Sequence, residues 1–288
     1  MASRPVALEG WLNQRIYHPL AHQLALRLAP TVITPNAVSV AGGFCVVAAA
    51  FAYTQLNWPY GAFLGLALHL FWHVLDGADG DLARMTGKAG PMGEIVDGIA
   101  DYLSHIVLYC MLAQAFYPEQ GTIIWMAAIA AGASRVMQAN HCEVRRREYQ
   151  WWMFGRPWLR NQPMADDNTK WSILALMAAP YLWLANATGG SLQAIERLHH
   201  AARYDPEKLA GLRRSMTEYL HPLLPALGLL GANHRTIILG AAMIAGNPIW
   251  FFLYEIILLN LVLLWSVRAH SVAVQKMLSW AIQLKIWR

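Results

Sequence analysis

The feature that most constrains this chain is a group of carboxylates inside a stretch that otherwise has the hydropathy of membrane helices. Residues 76–101 read Asp-Gly-Ala-Asp-Gly-Asp-Leu-Ala-Arg, then eight residues, and then Gly93, Asp97 and Asp101 with three residues between each. A charged side chain inside a bilayer costs at least about 3 kcal/mol, so several together need a partner that stabilises them. A divalent cation is the natural partner, because it binds carboxylate oxygens and commonly serves phosphate chemistry.

The composition is that of an integral membrane protein, and nucleic acid is not an expected partner. Of the 288 residues, 57% are hydrophobic and only 14% are charged. The 13 tryptophans and 11 tyrosines suit the two membrane–water interfaces. The net charge of +5 is modest, and the basic residues fall mainly in polar connections. This distribution indicates contact with anionic headgroups or phosphate substrates.

The apolar runs predict helices that lie on a membrane and helices that cross it. Residues 5–29 combine apolar residues at helical spacing with interspersed basic ones, so we predict an N-terminal interfacial amphipathic helix. The core helices are expected within residues 34–145. The predicted membrane-spanning segments there are 35–56, 61–84, 92–117 and 121–142.

The C-terminal half continues the same membrane domain. The predicted fold is therefore an all-α integral membrane protein, a single domain over residues 1–288, with a six-helix transmembrane core and up to eight helices in total. The predicted C-terminal parts are a polar, interfacial region at 146–217 with one apolar helix at 169–187, and helices at 218–288 that are interrupted at 233–235 and 246–248.

The distribution of basic residues predicts the orientation of the core helices. The connections at 54–60 and 117–121 contain no Lys or Arg, whereas the connection at 84–91 contains Arg84 and Lys88. Several arginines also follow the fourth helix. The positive-inside rule therefore places the acidic motif on the cytoplasmic side, and we expect the membrane to be a bacterial cell membrane.

The spacing of the four aspartates predicts that they face one another. Asp76 and Asp79 are three residues apart and Asp97 and Asp101 are four apart, so each pair lies on one helix face. Two antiparallel helices joined by a short turn bring the pairs together as a cage for one or two hard cations. Asp81 falls outside this pattern, and we expect its side chain to be solvated or interfacial.

Neighbouring residues suit a phosphate ligand. Gly80 and Gly93 remove side chains where a bulky ligand would approach the backbone. Arg84 lies one helical turn beyond Gly80 and offers a planar fork for phosphate oxygens.

The chain resembles the CDP-alcohol phosphotransferase family, also known as the CDP-alcohol phosphatidyltransferases. The start of the first core helix, Thr34-Pro35-Asn36 with Ser39 three residues later, is similar to that family. A pattern of eight constrained positions is a specific signal. The signature residues, all in register, are Asp76, Asp79, Gly80, Ala83, Arg84, Gly93, Asp97 and Asp101.

The resemblance implies transfer of a substituted phosphate from a CDP-linked donor to an alcohol hydroxyl, with release of CMP. It implies Mg²⁺ or Mn²⁺, two ions, bound by Asp76, Asp79, Asp97 and Asp101, and it makes Asp101 the candidate base as well. A homodimer embedded in membrane lipids is also implied. The residues implied in CDP binding are Asn36, Asp79, Gly80, Ala83, Arg84 and Gly93.

A further hypothesis concerns the fourth core helix. Arg135 lies about three turns inside the basic end of that helix, and a buried arginine needs an anionic partner. We hypothesise that Arg135, with Gln138 and His141, contacts the phosphate of the acceptor or donor. The competing interpretation is a basic anchor at the membrane surface. Glu255 and Asn260 are expected to be hydrogen-bond partners between helices.

Several functions remain open at this stage. The donor is CDP-diacylglycerol with a polar acceptor such as inositol phosphate or another polyol, or it is a soluble CDP-alcohol with a lipid or polyol acceptor. A cation or metabolite transporter is an alternative of another class, although it predicts acidic residues near the bilayer midplane and two similar halves. A catalytically inactive scaffold is disfavoured by the intact signature.

Overall fold

The computed structural model describes residues 10–155, 197–200, 202 and 204–283, and all regular structure within them is helical. The prediction of an all-α protein is confirmed. The elements are a π-helical turn Asn13–Tyr17, α1 His18–Leu28, α2 Pro35–Gln55, α3 Tyr60–Met85, α4 Pro91–Gln120, α5 Thr122–Phe154, α6 Pro206–Tyr219, a 3₁₀ turn His221–Leu223, α7 Leu224–Leu229, α8 Ala232–Ile244, α9 Ile249–Leu253, a π-helical segment Tyr254–Leu259 and α10 Asn260–Gln283.

Five stretches of the described residues are long and apolar enough to cross a membrane. They agree with the predicted all-α membrane architecture, but the predicted span at 121–142 is not among them, and the count of six core helices stays a prediction. The predicted apolar helix at 169–187 lies outside the described residues, as do residues 5–9 of the interfacial helix. The five stretches are Pro35–Gln55, Tyr60–Met85, Met92–Gln120, Pro206–Ile244 and Ile249–Ile282.

Two predicted boundaries differ from the structure. Helix α5 extends to Phe154, well beyond the predicted end at 142. No interruption occurs at 233–235, because these residues lie inside α8, where the Arg235 side chain is buried. The interruption at 246–248 is confirmed, and Gly246 has a φ of +82° that favours glycine.

The described residues form two compact units. The first unit comprises Gly10–Val136 and Ala232–Leu258, and the second comprises the described parts of 137–231 and 259–288. The core of the second unit is a cluster of apolar residues that includes Trp152, Met216 and Met277. The prediction of a single domain stays a prediction.

The first unit is built around α2, which packs against both α3 and α4. A Cβ atom on Gly43 of α2 would lie 3.3 Å from the carbonyl oxygen of Ala100 on α4, so these two helices approach closely. The amphipathic α1 packs on α3, with Ala21 and Ala25 buried against a cluster that includes Ala78 and Leu82. These contacts fix the helices that carry the acidic motif.

Local sequence explains where those helices begin and end. Thr34 caps α2, because its hydroxyl accepts a hydrogen bond from the Ala37 N–H, and Pro35 occupies the first turn, where its missing N–H has no cost. The turn between α3 and α4 contains Gly87, with a φ of +67°. A glycine at this position lets the chain reverse within a few residues.

Candidate functional site

Three helix ends meet at one end of the first unit: the start of α2, the end of α3 and the start of α4. A Cβ atom on Gly93 of α4 would lie 3.8 Å from Oδ1 of Asn36 on α2. The Ser39 hydroxyl of α2 donates a 2.6 Å hydrogen bond to Oδ2 of Asp79 on α3. The starts of α2 and α4 also carry the positive ends of their helix dipoles, which favour anions nearby.

The structure brings three of the predicted aspartates together. The buried Asp79 side chain lies close to that of Asp97 across the α3–α4 pair and interacts electrostatically with Asp76. Asp76 is exposed and Asp97 is partly buried. Carboxylates this close repel each other when ionised, so they must share a proton or a cation.

The fourth aspartate, Asp101, has different neighbours. Its side chain is 33% exposed, and its Oδ1 lies 2.9 Å from Nδ1 of the buried His105. Asp101 also interacts electrostatically with Arg135 of α5. The predicted base therefore lies beside an imidazole and a guanidinium.

The acidic residues fit a divalent cation by their chemistry. Asp76, Asp79 and Asp97 supply the oxygen ligands that Mg²⁺ and Mn²⁺ prefer. In the part of the chain that the structure describes, however, no three acidic, histidine or cysteine side chains are close enough to enclose one ion. Metal binding by the four aspartates therefore stays a prediction.

Arg84, the predicted phosphate ligand, is held by a residue that the signature does not include. Its guanidinium pairs with Asp81 and folds back over Gly80, where a Cβ atom would lie 3.4 Å from Nη1. Asp81 also lies 3.5 Å from Nδ1 of His22 on α1. The expectation that Asp81 is solvated or interfacial stays a prediction; its side chain is 16% exposed and contacts these two partners. Ala83 lies on the same last turn of α3.

Arg135 lies in a buried network centred on Glu255. The Arg235 guanidinium and the Tyr109 hydroxyl both donate to the Glu255 carboxylate. Arg135 Nη1 lies 4.0 Å from the Glu255 oxygen that Arg235 binds, and Arg135 also interacts with the Tyr109 side chain. The expectation that Glu255 pairs between helices is confirmed.

Gln138 and His141 have partners within the second unit. Gln138 donates a 2.7 Å hydrogen bond to Asn260, and His141 Nε2 lies 3.0 Å from the Ser266 hydroxyl. The expected interhelical role of Asn260 is confirmed. Phosphate binding by Gln138 and His141 stays a prediction.

Two residues of this site received no role from the sequence. Ser39 belongs to the pattern at the start of α2, yet only the structure shows that its hydroxyl binds Asp79. His105 follows Asp101 by one helical turn, a spacing that places both side chains on one helix face. That spacing is the signal that could have identified it.

Replacing Ser39 with Ala is expected to lower the activity of this site by about tenfold, as is usual when a partner of a ligating side chain is lost. The change removes the hydroxyl that orients Asp79. Turnover by the purified protein measures the effect. Ser104→Ala is the control, because the equally buried Ser104 hydroxyl donates only to a carbonyl of its own helix. Equal activity of the two variants would contradict the role of Ser39.

Comparison with known proteins gives two findings. A family model described as CDP-alcohol phosphatidyltransferase matches residues 32–202. An archaetidylinositol phosphate synthase of Aeropyrum pernix is 32% identical over 106 residues, which cover 33% of this chain and 53% of the relative. The chain thus spans about half the length of this curated relative.

Proposed function

Because the chain belongs to the CDP-alcohol phosphatidyltransferase family, we propose that it transfers a substituted phosphate from CDP-diacylglycerol to a phosphorylated polyol such as inositol phosphate. The observation that carries this proposal is the contact of Asp79 with Asp97 beside Asn36 and Gly93, at three adjoining helix ends. All eight signature positions lie on the two helices that supply this contact.

The proposed reaction balances as a displacement at phosphorus. The acceptor hydroxyl loses its proton to Asp101, and its oxygen forms a bond to the donor phosphorus that carries the diacylglycerol. The bond between that phosphorus and the bridging oxygen breaks, and CMP leaves with the bonding electrons. The products are CMP, a phosphodiester and the proton held by Asp101.

Different residues of the site have separate proposed roles in binding the donor and the metal ions. Arg84 would bind the pyrophosphate of the donor, and Asn36 and the open backbone at Gly80 and Gly93 would accommodate the cytidine half. Asp76, Asp79, Asp97 and Asp101 would hold Mg²⁺ or Mn²⁺. When bound, such ions neutralise charge on the leaving group and orient the phosphate.

The phosphate on the acceptor is supported by the position of Arg135, whose Nη1 lies 4.0 Å from its partner Glu255. Arg135 and Arg235 share the single carboxylate of Glu255, and Arg235 is the closer of the two. Arg135 also interacts with Asp101, the proposed base. A phosphate bound at Arg135 would therefore hold the acceptor beside that base. The relative is an archaetidylinositol phosphate synthase by name, which fits the same acceptor class.

The location follows from the apolar helices and the charge distribution. We propose an integral protein of a bacterial cell membrane whose acidic site faces the cytoplasm, where soluble CDP-linked and polyol substrates occur. Arg84 in the last turn of α3 and Lys88 in the connection to α4 support this side. A homodimer in the bilayer is part of the same proposal.

Release of CMP by the purified protein tests the proposed function. CDP-diacylglycerol and soluble CDP-alcohols are each supplied with inositol phosphate, glycerol phosphate, serine and a lipid alcohol. We expect CMP only with CDP-diacylglycerol and a phosphorylated polyol, loss of CMP with EDTA, and recovery with Mg²⁺ or Mn²⁺. CMP release from a soluble CDP-alcohol would show that the donor is soluble and not CDP-diacylglycerol. Cation flux without nucleotide turnover would exclude the enzymatic function.

Replacing Arg135 with Gln is expected to raise the KM for the phosphorylated acceptor by about tenfold or more, because a charged hydrogen bond to phosphate is lost. The KM for the CDP donor should stay within about twofold. Initial rates at varied concentrations of each substrate measure both values. Arg235→Gln is the matched control, and we expect it to lower stability rather than acceptor affinity. Unchanged KM values in Arg135→Gln would exclude the phosphate contact.

A further inference from the structure

Three buried histidines lie beside the acidic residues and have no part in the reaction as described so far. His69 and His73 of α3 and His105 of α4 are each 7% exposed or less. Imidazoles in an apolar helix interface need hydrogen-bond partners. His73 has such a partner outside the site, because its Nε2 lies 2.9 Å from the Thr236 hydroxyl. His105 instead contacts Asp101, and His69 contacts His105.

The contacts of His105 define which of its ring nitrogens carries the hydrogen. Nδ1 lies 2.8 Å from the carbonyl oxygen of Asp101, and a carbonyl oxygen can only accept. Nδ1 is therefore the donor. In the neutral ring Nε2 is then the acceptor, and it lies 3.4 Å from Nε2 of His69, which donates to it. His69 thus contacts the Nε2 side of the His105 ring, and Asp101 lies at its Nδ1 side.

The side chain of Asp101 lies against the same edge of the ring. Its Oδ1 is buried and lies 2.9 Å from Nδ1, although the N–H itself donates to the carbonyl oxygen and makes no hydrogen bond with Oδ1. The side chain nevertheless keeps a third of its surface exposed. The two carboxylate oxygens are therefore unequal, with Oδ1 turned inward to the imidazole and the rest of the group turned outward.

We infer that His105 is a positioning residue for Asp101: its ring lies against Oδ1 and so leaves Oδ2 to face the acceptor hydroxyl, while His69 fixes the orientation of the His105 ring. This inference rests on the proposed function, in which Asp101 is the base. A base must lie within hydrogen-bond reach of the proton that it accepts. A carboxylate free to rotate would present either oxygen and would lose that alignment.

His105 also packs edge-on against Trp72, with ring centroids 4.8 Å apart, so a purely structural role is the alternative. The two roles differ in which kinetic constant changes. Loss of packing lowers the amount of folded protein. Loss of alignment lowers kcat of the folded protein and leaves both KM values in place.

The test compares His105 variants with a buried histidine of matching geometry. His270 Nδ1 lies 2.8 Å from the Ser266 carbonyl oxygen one turn earlier on its own helix, but the residue at that position is not acidic. We expect His105→Leu to lower kcat per folded molecule by about tenfold to a hundredfold with KM changes within about twofold. His105→Asn, which keeps a donor near Nδ1, should recover most of the rate. His270→Leu should leave kcat unchanged.

A second readout is independent of activity. Spectra of the ¹⁵N-histidine-labelled protein are expected to show His105 as the Nδ1–H tautomer, with a signal that shifts in Asp101→Asn. An Nε2–H tautomer, or equal kcat for His105→Leu and His270→Leu, would overturn the inference. If the wild-type protein released no CMP, the proposed function would fail, and the shift of the His105 signal in Asp101→Asn would still decide whether the ring lies against that side chain. Should His105→Leu not fold, His69→Leu gives the comparison, because it removes the partner that orients the His105 ring.

Discussion

Replacing Asp97 with Asn is expected to reduce CMP release by about 100- to 1,000-fold, the range found when one charge-stabilising group is removed from an active site. Asp97 is the residue of α4 that reaches Asp79 of α3, so it connects the two helices at the site. The amide keeps the size of the carboxylate but supplies only one oxygen and no charge. Affinity for a divalent cation should therefore fall together with turnover.

The measurement is CMP release at increasing Mg²⁺ or Mn²⁺ concentration. Asp97→Asn should need a higher metal concentration for half-maximal activity than the wild-type protein. Glu94→Gln is the matched control, because Glu94 is an exposed acid in the first turn of the same helix and lies outside the signature. We expect this control to keep wild-type activity. An active Asp97→Asn variant with ordinary metal dependence would contradict the carboxylate site.

Replacing Glu255 with Leu is expected to destabilise the protein by about 3–5 kcal/mol, because it leaves a buried positive charge without its partner. Glu255 is fully buried and accepts hydrogen bonds from Arg235 and Tyr109, with Arg135 nearby. Thermal unfolding of the detergent-solubilised protein measures the change. The loss of stability should be measurable in the absence of substrate and without an activity assay.

The double variant Glu255→Leu with Arg235→Leu should recover much of that stability, since removing both charges also removes the cost of burying them. Glu119→Leu is the control, because Glu119 lies exposed near the end of α4. Its effect should stay within about 0.5 kcal/mol. If Glu255→Leu unfolded at the wild-type temperature, the Glu255 network would have no stabilising role.

The sequence predicted the parts of the site that depend on spacing along a helix. The positions of Asp76 and Asp79 near the end of α3 and of Asp97 near the start of α4 follow from helix periodicity and a short turn. The position of Asn36 at the same end as the aspartates also follows from the alternating direction of consecutive helices, whereas its proximity to Gly93 is seen only in the structure. Such inferences need only local geometry.

Contacts between residues far apart in the chain were not predictable in the same way. The sequence alone does not predict that Asp81 contacts both Arg84 and His22, or that Glu255 binds Arg235 and Tyr109. The end of α5 was missed for a related reason. Its charged second half forms ion pairs within the helix, such as the 3.0 Å pair of Arg145 and Glu148, and these let the helix continue.

The short turn at Gly87 has a consequence for how the protein is made. Because α3 and α4 follow each other directly, the contact of Asp79 with Asp97 closes only a small loop and costs little chain entropy. The contact of Tyr109 with Glu255 must wait until the C-terminal third has left the ribosome. We therefore expect the nascent chain to form the α3–α4 hairpin, which carries the aspartates, early during membrane insertion. The contact of Tyr109 with Glu255 should form only at the end of synthesis.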